Sequence, residues 1–144
     1  MLAQSKVLAM IEFTLPIEPQ PKLRPRFFMA NGKIRSYSPA KTAAYENMLL
    51  LLANKYRPQF PLKGLLRLSL EFMLTKPKSS KNTFPVVKPD LDNLVKAVAD
   101  SFNGIFWVDD SQIVALVAGK RYALNPGITI RILDAKDPDE IACW

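Results

Sequence analysis

The sequence predicts an α+β fold: a single compact domain in which a mainly antiparallel or mixed sheet carries two principal helices. Three observations lead there. Apolar residues recur at every second position in several short stretches, most cleanly at Leu66, Leu68, Leu70 and Phe72. Two other segments, from Pro39 and from Asn93, repeat their apolar residues at helical spacing instead. The 12 prolines gather between these segments, where they cut one element from the next. With 144 residues and a hydrophobic fraction of 49%, the chain can bury one real core, so residues 1–144 are read as one domain without internal repeats.

Taken in order, residues 7–15 form the first strand, with Val7, Ala9, Ile11, Phe13 and Leu15 at period two. Pro16, Pro19 and Pro21 end it. The segment Lys22-Leu23-Arg24-Pro25-Arg26-Phe27-Phe28 mixes cations with aromatics, which suits phosphate contact and base packing; it also suits a rigid surface loop held by one Phe. Asn31-Gly32 is a tight-turn pair between residues 27–29 and 34–37, a hairpin that carries Lys33 and Arg35. Ser38 is the expected N-cap of a helix with Pro39 in its first turn, running to about Lys55 and burying Tyr45, Met48, Leu49, Leu52 and Tyr56.

Residues 65–72 are the next strand, with Arg67, Ser69 and Glu71 on its other face. Residues 75–88 read as a flexible basic loop: Lys76, Lys78, Lys81 and Lys88 stand among prolines and serines, with Phe84, Val86 and Val87 as its distal anchor. A second helix follows, ending near Phe102 or Asn103 with Gly104 just past it. Trp107 is read as a structural wedge. Residues 113–122 resume as a strand whose Lys120 and Arg121 are phosphate contacts or solvated end charges. Asn125-Pro126-Gly127 turns the chain into a last strand over 127–133, and residues 134–144 read as a C-terminal tail from which Ile141, Cys143 and Trp144 could dock.

Composition narrows the chemistry. There is no histidine, which removes Ser-His-Asp and Cys-His nucleophilic catalysis and any reaction that needs a histidine base. One cysteine excludes an intrachain disulfide framework and a cysteine-based zinc site. The longest apolar run, residues 48–53, is far too short to cross a bilayer, and Glu12 interrupts any secretory h-region, so a cytoplasmic protein without a membrane partner is expected. The net charge of +7 is unevenly spread: residues 1–89 hold 15 Lys/Arg against 4 Asp/Glu, and residues 90–144 hold 5 against 9. A basic half attracts a polyanion, while clustered acids attract hydrated cations.

Those acids centre on Lys88-Pro89-Asp90-Leu91-Asp92-Asn93-Leu94-Val95-Lys96, continuing to Asp100 and to Trp107-Val108-Asp109-Asp110. Asp92 is the expected N-cap of the second helix. Along it Leu94, Val95, Val98 and Phe102 form a core stripe, while Asp92, Lys96 and Asp100 recur every four residues on an open face. Asp90 and Asp92 can supply hard oxygen ligands to Mg²⁺ or Mn²⁺, with a third from Asp109-Asp110. The plainer reading of Asp-x-Asp is a helix cap followed by a polar loop.

The block Pro89-Asp90-Leu91-Asp92-Asn93-Leu94-x-Lys96-x-x-x-Asp100, then Trp107-Val108-Asp109-Asp110-Ser111-Gln112-Ile113, resembles the RusA family of Holliday junction resolvases, prophage-encoded members included. The resemblance covers most of the chain, with the early Pro/Arg-rich segment. It implies a homodimeric, Mg²⁺-dependent endonuclease that makes paired cuts in four-way branched DNA. It also implies Asp90, Asp92, Lys96 and Asp110 as catalytic residues, with Asp90, Asp92 and Asp110 on the metal and Asp109 as the alternative ligand. Lys22, Arg24, Arg26, Lys33, Arg35, Lys76, Lys78, Lys81 and Lys88 are the expected DNA contacts. A branched-DNA-binding protein without catalysis is the other reading of the same basic surface.

Overall fold

The computed structural model describes residues 9–136 and 138–141. Strand β1 (Ala9–Leu15) is followed by the hairpin β2 (Arg26–Ala30) and β3 (Lys33–Tyr37), then helix α1 (Ala40–Ala53), prolonged by a 3₁₀ turn at Asn54–Tyr56. Next come β4 (Leu65–Thr75), α2 (Leu91–Phe102), a 3₁₀ turn at Asp110–Gln112, β5 (Ile113–Ala123), β6 (Gly127–Ala135) and a short α3 (Pro138–Ile141). The main sheet has the order β1-β6-β4-β5, and β2-β3 forms a separate ribbon. Pairing is antiparallel except between β4 and β5. Parallel neighbours need a long crossover, and the segment containing α2 provides it. The mixed α+β architecture matches the expectation.

β4 is the spine of the core. Leu66, Leu68, Leu70, Phe72 and Leu74 are all buried, every second residue of an 11-residue strand. Ile128, Ile130 and Ile132 of β6 and Phe13 and Leu15 of β1 continue that face, and Tyr45, Leu49, Leu94, Val98 and Phe102 of the two helices close over it. Phe106 and Trp107 plug the far end of α2, with ring centroids 4.4 Å (Phe102–Phe106) and 6.2 Å (Phe102–Trp107) apart, the latter edge-on. The turn at Asn31 (φ 51°) and Gly32 (φ 71°) has both residues left-handed, as a two-residue hairpin requires. Gly104 (φ 81°) ends α2 in the same region.

Several expectations need correction. Pro39, extended at ψ 142°, is itself the N-cap of α1, and Ser38 caps nothing. Met48 is 45% exposed: at 3.6 residues per turn it lies about 100° from the buried line through Thr42, Tyr45, Leu49 and Ala53. The N-cap of α2 is Asp90, whose carbonyl accepts from Leu94 N, so Asp92 sits inside the first turn. Pro85, rather than Phe84, Val86 or Val87, is the buried residue of the 75–88 loop. Asp134 and Ala135 extend β6 by pairing with β1 and β4, and Ile141 packs on Ala115 and Ala135. Cys143 and Trp144 lie outside the described residues. Among those residues no helix is long and apolar enough to cross a membrane.

Candidate nucleic-acid and metal site

Asp90 and Asp92 stand together at the N terminus of α2, where the exposed N–H groups and helix dipole favour negative charge. Asp92 is exposed and its Oδ1 accepts from Asn93 N at 2.9 Å. Asp90 is about half exposed, and the Lys88 ammonium lies 2.6 Å from its Oδ2. Lys96, one turn beyond Asp92, is exposed on the same face. Asp100, the next position of that row, is drawn away to Lys22 at 3.3 Å.

Two lysines hold this end of α2 in place. Lys22 bonds through its backbone N to Asn93 O, and its ammonium contacts Glu46 of α1 and Asp100 of α2. Burial alone would lower its pKa, but the bonds and charges of Glu46 and Asp100 outweigh that and raise it. Lys22 is therefore a staple between two helices, its ammonium paired with a carboxylate on each. Lys120 on β5 donates to the carbonyls of Val87 and Pro89, both at 2.8 Å. That fixes the backbone on which Asp90 hangs, so Lys120 is not simply a solvated end charge.

A cleft of about 520 Å³ opens beside Asp90, lined by the 19–24 segment with Lys41, Lys88, Pro89 and Asn93. Arg24, Lys41 and Lys88 give it a cationic wall. Sequence reasoning missed Lys41 and the role of Lys120. A lysine in the first turn of a helix opposes the dipole, which is the one signal that could have marked Lys41.

The remaining expected cations divide by location. Arg26, Lys33 and Arg35 lie on the β2-β3 ribbon, whose cross-strand pairs sort its faces: Phe27 and Met29–Ile34 on one, Arg26–Tyr37, Phe28–Arg35 and Ala30–Lys33 on the other. Apart from Ala30, the second face is basic and aromatic. Lys78 and Lys81 are exposed on the loop, while Lys76 lies over the Tyr122 ring at 5.9 Å.

Asp110 is elsewhere. Its Oδ1 accepts from the indole of buried Trp107 at 2.7 Å, beyond the C-terminal end of α2. The 12-residue helix is about 18 Å long, and Asp90 caps its opposite end. Asp109 caps the 3₁₀ turn, accepting from Ser111 N while its own N donates to Gln112. The side-chain bond to Ser111, with a backbone bond from the same residue, holds its carboxyl below the usual range. The expected convergence of three acids within one chain is thus not observed: among the described residues no group of three acids, cysteines or histidines is placed to share a metal.

These features define a small basic α+β domain that presents a carboxylate pair and a lysine at a helix N terminus beside a cationic cleft. The chain belongs to the endodeoxyribonuclease RusA family, whose model matches residues 16–133. It is 33% identical over 134 residues to the Bacillus subtilis (strain 168) protein named "Uncharacterized protein YqaN", covering 85% of this chain and 94% of that one. It is also 32% identical over 111 residues to the "Crossover junction endodeoxyribonuclease rusA" of Lactococcus phage r1t, covering 76% and 85%.

Proposed function

We propose that this protein is a Mg²⁺-dependent, structure-selective endodeoxyribonuclease that resolves four-way DNA junctions by paired phosphodiester cuts, acting as a homodimer. The observation that carries the reading is the Asp90–Asp92 pair at the N terminus of α2, bordered by the cleft of Arg24, Lys41 and Lys88. Family membership supports the substrate class and the metal.

The donor set fits a hard divalent ion. Mg²⁺ is commonly held by one or two carboxylates plus substrate phosphate and water, and Asp90 and Asp92 supply two. The Lys88 ammonium against Asp90 marks where positive charge is already favoured, and Mn²⁺ suits the same oxygens. When bound, the ion supplies Lewis-acid activation of phosphate and water at neutral pH.

The chain's own groups do the rest. Lys96 faces the phosphate from the same side of α2 and offsets the charge that gathers on it during attack. Arg24, Lys41 and Lys88 hold the backbone, and the Arg26/Lys33/Arg35 face of the ribbon extends contact along an arm of the junction. Pairing of two copies provides two equivalent sites for symmetric cuts. The separation of Asp110 from Asp90 favours a second reading, in which an isolated protomer binds branched DNA without cutting it.

The test compares four-way, Y-shaped and linear duplex DNA with Mg²⁺ and with EDTA. Paired cuts confined to the four-way substrate and abolished by EDTA are expected. Equal cutting of linear duplex points to a general nuclease, and tight binding without cutting to the second reading.

A further inference from the structure

The β2-β3 ribbon has two unlike faces, and phosphate contact accounts for only the basic one. Met29 and Ile34 form a cross-strand pair with Phe27 beside them, and these side chains are 68%, 74% and 72% exposed in that order. Strand residues alternate between faces, so all three point away from Arg26, Phe28, Lys33, Arg35 and Tyr37. A two-stranded hairpin alone in water is marginally stable at best, so a face carrying three large apolar side chains gains by being covered. An exposed apolar patch rimmed by polar residues marks an interaction surface.

What covers it follows from charge and position. Residues 24–41 contain five Lys/Arg and no Asp or Glu. Two such ribbons brought together repel each other, whereas a polyanion is drawn to them. Both ends of the ribbon are rooted at the rim of the acidic site, because Arg24 and Lys41, on either side of it in the chain, line the cleft beside Asp90. The segment leading in is fixed there by bonds from Lys22 N to Asn93 O at 2.9 Å and from Leu23 N to Thr42 Oγ1 at 3.3 Å. Nucleic acid held in that cleft therefore lies against the ribbon. Five cross-strand pairs make an arm about 17 Å long, with Met29 and Ile34 about 10 Å from its root.

DNA offers an extended apolar surface in one form, the flat faces of its base pairs. Along a linear duplex those faces are closed against one another, and separating a step costs free energy. At the centre of a four-way junction the arms diverge and the stack is interrupted, leaving base-pair faces open. We propose that the Phe27/Met29/Ile34 face of the ribbon packs on the base pairs at the branch point, while its Arg26/Lys33/Arg35 face lies along the backbone of the neighbouring arm. The two faces then need two diverging arms at once. That makes the ribbon the element that selects a branched substrate, a role that rests on the junction reading above.

Two measurements test it, both in EDTA, so that binding is read without cleavage. The first compares affinity for four-way and linear duplex DNA of the same arm sequence. The triple variant Phe27→Ala/Met29→Ala/Ile34→Ala is expected to lose affinity for the four-way substrate by about 10-fold or more. Its affinity for linear duplex and its salt dependence should stay as in wild type, since no cation is removed. Replacing the same three residues by Leu, which keeps the face apolar, should retain most of the preference.

The second uses the wild-type chain and needs no variant to fold. A 5-iodouracil in a base pair flanking the branch is irradiated in the complex, and the cross-linked peptide should contain Phe27. The same base placed well inside an arm should give no ribbon cross-link. An unchanged preference for four-way DNA in the alanine variant, or ribbon cross-links arising equally from within an arm, overturns the proposal. So does a variant that loses self-association, which assigns the face to a second copy. Wild type that binds four-way and linear DNA alike removes the junction reading itself, and the proposal with it.

Discussion

The Lys120 ammonium lies 2.8 Å from the carbonyl oxygen of Pro89, the residue that precedes the cap of α2. A strand thereby sets the position of a carboxylate that belongs to a helix. Lys120→Met removes this bond and the one to Val87 together. A charged donor to a part-buried carbonyl contributes on the order of 1–3 kcal/mol, so a modest fall in thermal stability is expected. The Mg²⁺ concentration for half-maximal cleavage should rise several-fold, and Lys120→Arg should recover part of it. A metal titration beside a thermal melt checks both; an unchanged metal requirement with normal folding contradicts the positioning role.

Trp107 is fully buried and its indole N–H is committed to Asp110. Trp107→Phe keeps much of the packing but deletes the donor, leaving a part-buried carboxylate one partner short. A loss of about 1–3 kcal/mol is expected, read as a lower urea midpoint at an unchanged slope. A stability equal to wild type would show that the bond contributes nothing net.

Arg26 and Arg35 share the basic face of the ribbon with Phe28 and Tyr37, whose rings meet edge-on at 5.7 Å. Replacing both arginines by Ala should weaken junction binding while leaving the fold intact. If both contact phosphates, the slope of log affinity against log salt becomes shallower by about 2. Binding assays across a salt series read this directly, and an unchanged slope removes the ribbon from the DNA interface.

The Asp109 carboxyl is held below its ordinary value of 3.8, first by its side-chain bond to Ser111. A lowered folded-state pKa favours the charged form in the native protein. Its contribution is complete above the unfolded value and is lost as pH falls through the folded one. Asp109→Ala should therefore melt below wild type at pH 6–7, and the gap should narrow as pH drops under about 4. Melting curves across that range test it; a gap that widens toward acid has the wrong sign.

Much of the fold was legible because its signals are local. The alternation from Leu66 to Phe72, the Asn31-Gly32 turn and the stripe Leu94, Val98, Phe102 each declare their element within a few residues, and all three are found. The caps were misread by one or two residues because Ser38-Pro39 and Asp90-Leu91-Asp92 each offer two plausible first residues. The site was legible in kind and not in assembly. Asp90, Asp92 and Lys96 fall within the cap and first two turns of one helix, so their proximity needs no tertiary information. Where Asp110 falls depends on which end of α2 the return strand begins, and the local pattern carries no trace of that. The protein partners of Lys22 and Lys120 were hidden for the same reason: a lysine's partner, whether carboxylate or carbonyl, is chosen by the packed structure around it.

The central claim is that Asp90 and Asp92 hold the metal at which DNA is cut. It is tested most directly by adding Mg²⁺ to EDTA-stripped protein on a four-way junction, wild type beside the Asp90→Asn/Asp92→Asn double variant, with junction binding measured in parallel. Paired cuts by wild type, at least a 100-fold loss in the variant and retained binding are predicted, on the order of what losing electrostatic stabilisation costs a catalytic site. A double variant that cuts the junction at the wild-type rate would contradict it.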